Sequence, residues 1–206
     1  MTHQNQHQEV AQKLVAAYQG KEPLSAYLKK YFAANKKHGS RDRKSISAFC
    51  YEHFRAMHAD FPLQEAISKE IDLPAFIQSH AIQPLLFIRI RPWQKEKVVA
   101  ALAEASIDYT IVNEHCFAFS NTTSLQHVLA LNKEAVIQDL NSQALAELLA
   151  FVPTSIETPI QVWDACAASG GKTILLFDYL SNINIHISDI RSSILINADK
   201  RLQEAG

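Results

Sequence analysis

An α+β architecture in several parts is predicted by three features of the 206-residue chain. Apolar residues recur at helical spacing through the first stretch, which predicts an all-helical domain over residues 1–80. After Pro84 the pattern shortens to runs of strand-forming residues around a single helix, which predicts a small β-α-β-β unit over 81–130. Beyond Gln161 buried-looking strands alternate with helices, the pattern that opens a parallel, doubly wound α/β sheet, so 131–206 is expected to hold the start of one.

In chain order, Met1 to Gln8 is rich in Gln and His and is expected to be loose. Glu9 to Tyr18 puts Val10, Leu14, Ala17 and Tyr18 on one helical face, and Pro23 to Ala34 does the same with Leu24, Tyr27, Leu28, Tyr31 and Phe32. A basic turn over Asn35 to Gly39 leads to a third helix, with Ser40 as its expected cap, running to about His58. Its apolar stripe is Ile46, Phe49, Cys50, His53, Phe54 and Met57, with His53 expected to pack. Pro62 and Pro74 then bracket a short expected helix, Leu63 to Ile71.

In the next region Leu85 to Ile90 reads as a strand, and Pro92 opens a helix through Glu104. Tyr109 to Val112 and Cys116 to Phe119 read as two strands around an Asn113-Glu114 turn. A helix follows over Asn141 to Leu149. The last stretch reads strand Gln161 to Ala165, helix Gly171 to Leu180, strand Ile185 to Asp189 and helix Ser192 to Glu204.

Composition narrows the function classes. Hydrophobic residues make up 48% of the chain and charged residues 20%, which allows a sizeable core. No run reaches the roughly 20 apolar residues needed to span a bilayer, and the start lacks a signal-peptide pattern, so a cytoplasmic protein with no membrane partner is expected. Cys50, Cys116 and Cys166 lie far apart without metal-ligand spacing, so neither a disulfide framework nor a metal site is expected. The net charge is -1 but unevenly spread. From Lys21 to Met57 the cations outnumber Glu22, Asp42 and Glu52 to give about +6, an asymmetry that suits a polyanion such as RNA. Lys36, Lys37, Arg41, Arg43 and Lys44, with His38 among them, form the candidate RNA-binding cluster. For each cation a solvated or ion-paired role stands beside phosphate contact. Tyr27, Tyr31 and Phe49 fit core positions better than base-stacking ones.

The segment that carries chemistry is Asp164-Ala165-Cys166-Ala167-Ala168-Ser169-Gly170-Gly171-Lys172-Thr173. A strand that ends in small residues and Gly-Gly, followed at once by a helix, brings backbone amides and a helix N-terminus towards a ligand. Asp189, roughly 18 residues after Gly171, ends the next strand, where a carboxylate can accept both hydroxyl protons of a ribose. The combination describes a pocket for a nucleoside-type cofactor, against the plainer alternative of a tight turn and a surface aspartate. A phosphate-binding P-loop ending at Gly171-Lys172-Thr173 would need its first glycine at position 166, which is Cys166.

The decapeptide Asp164 to Thr173 resembles the Asp-Ala-Cys-Ala-Ala-Pro-Gly-Gly-Lys-Thr signature of the RsmB/Nop2/Sun family of RNA cytosine-5 methyltransferases, departing only at Ser169. Gln138-Asp139 with Ser142-Gln143 is similar to the Gln-Asp and Ser-Gln element that introduces that family's catalytic domain. Gly39 to Arg43 resembles a NusB-like RNA-binding domain, and Pro84 to about Leu125 a small RRM-like module. The resemblance implies a NusB-like domain, an RRM-like unit and the start of a Rossmann-like methyltransferase domain. It implies S-adenosyl-L-methionine as cofactor, held by Cys166, Ala167, Ala168, Ser169, Gly170, Gly171, Lys172 and Asp189, and RNA, ribosomal RNA above all, as partner. The family's nucleophilic and release cysteines lie in motifs beyond the second strand. No catalytic residue is therefore expected before Gly206, and the resemblance implies a truncated chain or the product of a damaged gene. Without proline at position 169 the loop is expected to be less rigid. Ile194 stands where the family usually has arginine. Buried structural roles are expected for Cys50 and Cys116. An RNA-binding module alone is the competing expectation, since an incomplete sheet has open edges.

Overall fold

The computed structural model describes residues 3–56, 67–152 and 157–206, and the chain divides into two compact units, Met1–Gln83 and Pro84–Gly206. The expected positions Met57, His58, Pro62, Leu63 and Pro153 lie outside the described residues. Among the described residues no helix is long and apolar enough to cross a membrane, and no group of three or more His, Cys, Asp or Glu residues could hold a metal ion.

The first unit is built from helices α1 (His3–Ala17), α2 (Leu24–Ala34), α3 (Ser40–Ala56) and α4 (Leu73–Ala81). Its core gathers Ala11, Leu14, Leu28, Phe32, Ile46 and Cys50 from α1, α2 and α3. The same 3.6-residue periodicity that predicts the helices therefore predicts the core. The start is more ordered than its composition suggests: α1 begins at His3. Glutamine is a good helix former, and His7 pairs with Asp42 at 3.1 Å, which holds the first turns against α3.

The cap of α3 also differs from expectation. Gly39 precedes the helix, and Asp42, three residues on, reaches back to accept the Gly39 amide at 2.9 Å, so Asp42 rather than Ser40 satisfies this end. That amide holds the Asp42 carboxyl below its ordinary value. Pro74 does not end a helix. It sits in the first turn of α4, where its missing N–H has no helical partner to lose, and Asp72 caps the same turn by accepting the Ala75 amide at 3.0 Å. Residues 67–71, expected to be helical, form bends and a turn instead.

The second unit opens with β1 (Leu86–Ile90), α5 (Lys95–Glu104), β2 (Thr110–Asn113) and β3 (Cys116–Phe119). The tight turn between β2 and β3 falls at Glu114-His115, one residue later than expected. A fourth strand, β4 (Ala135–Ile137), was not anticipated: three residues carry too little alternation to register as a strand. It pairs with β1, beyond the expected boundary at residue 130, and gives an antiparallel sheet in the order β2-β3-β1-β4. Ile88, Ile90, Val98, Leu102, Phe117 and Phe119 form its core against α5. Cys116 is buried in β3 as Cys50 is buried in α3, and burial pushes both thiols up.

The expected helix over Asn141 to Leu149 is split into α6 (Leu140–Gln143) and α7 (Leu145–Leu149). The chain then forms β5 (Ile160–Asp164), α8 (Gly171–Tyr179), β6 (Ile183–Ile187) and α9 (Ser192–Ala205). β5 and β6 pair in parallel with Asp164 opposite Ile187, and α8 crosses between them, burying Ile174, Leu175 and Leu176.

Asp178 of α8 is buried between two cations of the four-stranded sheet. Arg89 Nη1 donates to one carboxylate oxygen and Arg91 Nε to the other at 2.8 Å, while the Arg89 and Asp178 side chains are each only 2% exposed. Removing one member of such a group leaves charge buried without its partner. We expect Asp178→Ala to destabilise the second unit by about 3–5 kcal/mol, measured as a lower urea midpoint. A loss below about 1 kcal/mol would place this contact with ordinary surface pairs.

Candidate cofactor loop

The loop from Ala165 to Gly170 joins β5 to α8. Asp164, the last residue of β5, accepts the Thr173 hydroxyl at 2.7 Å, which fastens the first turn of α8 to the strand end. Ala167 donates its amide to Ser188 O at 3.0 Å, and Ser188 donates its own to Asp164 O at 3.0 Å. The segment after β6 is thereby laced to the loop after β5. Asp189 then reaches across: its Oδ2 accepts the Ala168 amide at 3.0 Å. The glycine turn and the carboxylate expected to serve it lie at one sheet edge.

The loop turns through two left-handed residues, Ala168 (φ 46°) and Gly170 (φ 78°). Ala168 is held there by its bond to Asp189. Gly170 closes a turn by donating to Ala167 O at 2.8 Å and precedes α8 with no side chain capping the helix. Gly171 is not sterically demanded: a Cβ there would meet only the Gln138 side chain, 3.9 Å away.

Not every expected cofactor residue presents itself to a ligand. Ala167 is buried, and the amides of Ala167, Ala168 and Gly170 are all engaged within the protein. Cys166 and Lys172 are exposed on the outer rim, and Gly171 opens α8, where the first-turn amides lack helical partners. The Thr173 hydroxyl, which a P-loop would offer to a magnesium ion, is buried and committed to Asp164.

Ser169 changes one expectation. Its hydroxyl and carbonyl both accept from Arg201 of α9, at 2.6 Å and 3.0 Å, so a half-buried guanidinium fixes the residue that lacks a proline ring. Desolvation lowers the pKa of Arg201, yet a guanidinium stays charged throughout the accessible range. Arg201 also donates to Asn132, which donates to Glu204. This tie was missed because nothing in the local pattern marks a cation on an amphipathic helix as a loop anchor.

The Gln138-Asp139 and Ser142-Gln143 element is a local lock. Asp139 caps α6 through the Asn141 amide, Gln143 donates to Gln138 O at 2.9 Å, and Gln138 accepts from Arg89 Nε at 2.9 Å. It backs Gly171 and does not contact the loop's outer rim.

Asp189 carries most of the electrostatics. Its side chain is 6% exposed and its Oδ1 accepts both the amide and Nε of Arg191, whose own side chain is 62% exposed. The Arg191 side chain, then its amide and that of Ala168, hold the carboxyl down from 3.8 to about 2.

Within the first unit Lys36, Lys37, Arg41, Arg43 and Lys44 all lie on exposed surface around the start of α3. Arg43 is partly committed, donating to His38 O at 2.8 Å and lying over the Phe32 ring. His38 does not belong to the cationic surface: it is buried, with its ring against those of Tyr31 and Phe32. Asp42 is paired with His7 rather than with the arginines beside it. His53 is exposed rather than packed in the core, touching Phe54 edge-on.

No family model and no curated protein matches the chain. Among solved structures it is similar to one described as "Crystal Structure of PH0851", with a TM-score of 0.62 at 13% sequence identity, over 99% of this chain and 56% of that one. The likeness shows a shared mixed α/β fold, and the chain spans little more than half the length of that protein.

The backbone at Gly170 gives a direct check on the loop. A Cβ there would meet Ala198 at an ordinary 3.5 Å, so the penalty for Gly170→Ala comes from the left-handed conformation and not from a clash. We expect a loss of about 1–2 kcal/mol in urea unfolding, whereas Gly171→Ala changes stability by less than about 0.5 kcal/mol.

Proposed function

We propose that the chain carries the RNA- and cofactor-binding elements of an S-adenosyl-L-methionine-dependent RNA cytosine-5 methyltransferase of the RsmB/Nop2/Sun kind, acting on ribosomal RNA. The carrying observation is the 3.0 Å bond from the Ala168 amide to Asp189, which sets the carboxylate beside the glycine turn at the edge of two adjacent parallel strands. That is where a doubly wound sheet receives a nucleoside ligand. The β5-α8-β6 crossover supports a Rossmann-like beginning, the order β2-β3-β1-β4 an RRM-like unit, and the helical first unit a NusB-like domain.

The residues present fit the cofactor. Both Asp189 oxygens accept hydrogen bonds, and the Arg191 side chain that donates to each of them is exposed, so its displacement would leave lone pairs for a ribose diol. The uncapped start of α8 suits the polar end of an amino-acid moiety. S-adenosyl-L-methionine would supply the methyl group as a sulfonium. The described cysteines do not supply a nucleophile for the base: Cys50 and Cys116 are buried with raised pKa, and Cys166 lies in the cofactor turn. The chain alone is therefore proposed to bind without turnover. Lys36, Lys37, Arg41, Arg43 and Lys44 would contact RNA phosphates, in keeping with their exposure. An RNA-binding module without cofactor is the second reading, favoured by the two-stranded sheet whose outer face leaves Trp163 exposed.

Calorimetric titration with S-adenosyl-L-methionine separates the two. On the first, the chain binds and Asp189→Asn weakens binding about tenfold or more, the loss of a charge-assisted bond. Absence of any binding heat in the native chain leaves the RNA-binding module.

The Asp189 titration tests the exchange of Arg191 for ligand. A carboxyl depressed to about 2 contributes stability above its ordinary 3.8, and that contribution disappears as pH falls through about 2. In Arg191→Ala the largest cause of the depression is gone, so the carboxyl should titrate closer to its ordinary value by NMR. Affinity for the cofactor should rise in the same variant.

A further inference from the structure

Trp93 occupies a position that its chemistry does not favour. Arg91, Pro92, Trp93 and Gln94 form a turn closed by the Gln94 amide donating to Arg91 O at 3.2 Å. Proline sits at the second position and Trp93, with φ 65°, at the third. A turn of that kind calls for glycine there, because a side chain in the left-handed region is strained. The indole gains nothing from the fold in return, being 98% exposed. A strained backbone that presents a large apolar ring to solvent is explained by a task outside the fold.

The surroundings identify the task. Trp93 lines a cleft of about 490 Å³ together with Lys95, His115, Tyr179, Arg89 and Arg91. A second cleft that Trp93 also lines, about 370 Å³, holds Phe177, Lys133 and Asp178. The indole thus borders two recesses, the first with the exposed Tyr179 and His115 rings and the second with the exposed Phe177 ring, each with an exposed lysine. Arg89 and Arg91 share the single carboxylate of Asp178, so this buried group keeps a net positive charge. Arg89 Nη2 is buried with no hydrogen-bond partner among the described residues. Glu96 and Glu114 also line the first cleft and would repel a phosphate placed deep inside it. A base fits better there, its flat face on a ring and its amino edge towards a carboxylate, with the backbone phosphates passing Lys95 and Lys133.

We infer that Trp93 is a stacking platform for single-stranded RNA, with successive bases entering the two clefts it borders. The inference rests on RNA as the partner and adds to the basic segment of the first unit a contact in the second. Rings alternating with cations are what sequence-tolerant binding of single strands requires.

The experiment uses the full chain carrying Trp163→Phe, which leaves Trp93 as its one tryptophan, and a single-stranded oligoribonucleotide about eight nucleotides long. Titration should quench Trp93 emission saturably and less steeply at higher salt. Trp93→Ala, in the otherwise native chain, should weaken binding about tenfold. Trp93→Gly should weaken it equally while raising the thermal midpoint by a few degrees, because glycine relieves the backbone. A combined neutral variant of Lys36, Lys37, Arg41, Arg43 and Lys44 should bind more weakly but still quench Trp93 at saturation. RNA binding with unquenched emission and undiminished affinity in Trp93→Ala overturns the inference and leaves RNA as the partner. Failure of the native chain to bind any oligoribonucleotide removes both. Emission that changes with protein concentration alone makes Trp93 a contact between copies of this chain and overturns it too.

Discussion

The Asp178 carboxylate, held between Arg89 and Arg91, is the interaction on which the second unit depends. A carboxylate removed from water this thoroughly is tolerable only with its lone pairs satisfied and its charge opposed, and two guanidiniums do both. Each partner is fixed in turn. Arg89 lies in β1 and donates to Gln138, while Arg91 donates to Asn132 O and Ala205 O. One acid on α8 therefore docks that helix onto the four-stranded sheet. Since α8 begins at the glycine turn, the same contact sets where that turn sits. Arg201 supplies the second tie, from α9 to Ser169 and Asn132, so the loop is referenced to the sheet at both ends.

This arrangement explains how two parallel strands hold a defined edge. A parallel pair is ordinarily stabilised by helices on both faces. Here α8 covers one face and leaves Gln161, Trp163, Asn184 and His186 exposed on the other. The geometry at the strand ends is kept instead by polar cross-links: Thr173 to Asp164, Ser188 to Asp164, Ala167 to Ser188 and Ala168 to Asp189.

Elements with strong periodicity were legible in the amino-acid sequence. Cys116–Phe119 falls where four consecutive apolar residues between turn signals place it, and α8 starts at Gly171 as the Gly-Gly pair implies. The placement of Asp189 against the turn was legible as well, because a parallel crossover leaves few other positions for it. The buried ion group was not. Asp178 looks like the polar face of an amphipathic helix, and Arg89 interrupts a strand of apolar residues. Their complementarity is a fact about two segments far apart in the chain, which no local period encodes. Pro74 misled for a related reason: proline both starts and stops helices, and the capping role of Asp72 decides which. The His38 ring, read as one more cation in a basic run, is claimed by Tyr31 and Phe32 because the turn points it inward.

Three of the left-handed residues in the second unit separate into two kinds. Gly170 adopts its conformation without strain, and Ala168 is compensated by the acceptor that Asp189 offers its amide. Both belong to the loop and help build it. Trp93 has neither remedy, since its turn would form more readily with glycine and its ring covers nothing. The strain stabilises no neighbouring element, and Trp93 exposes an indole with lysines near it on the surface. The loop and the indole are thus opposite solutions in one unit. The first satisfies its polar groups internally, with Arg191 donating to the Asp189 carboxylate, whereas the second leaves its ring uncovered.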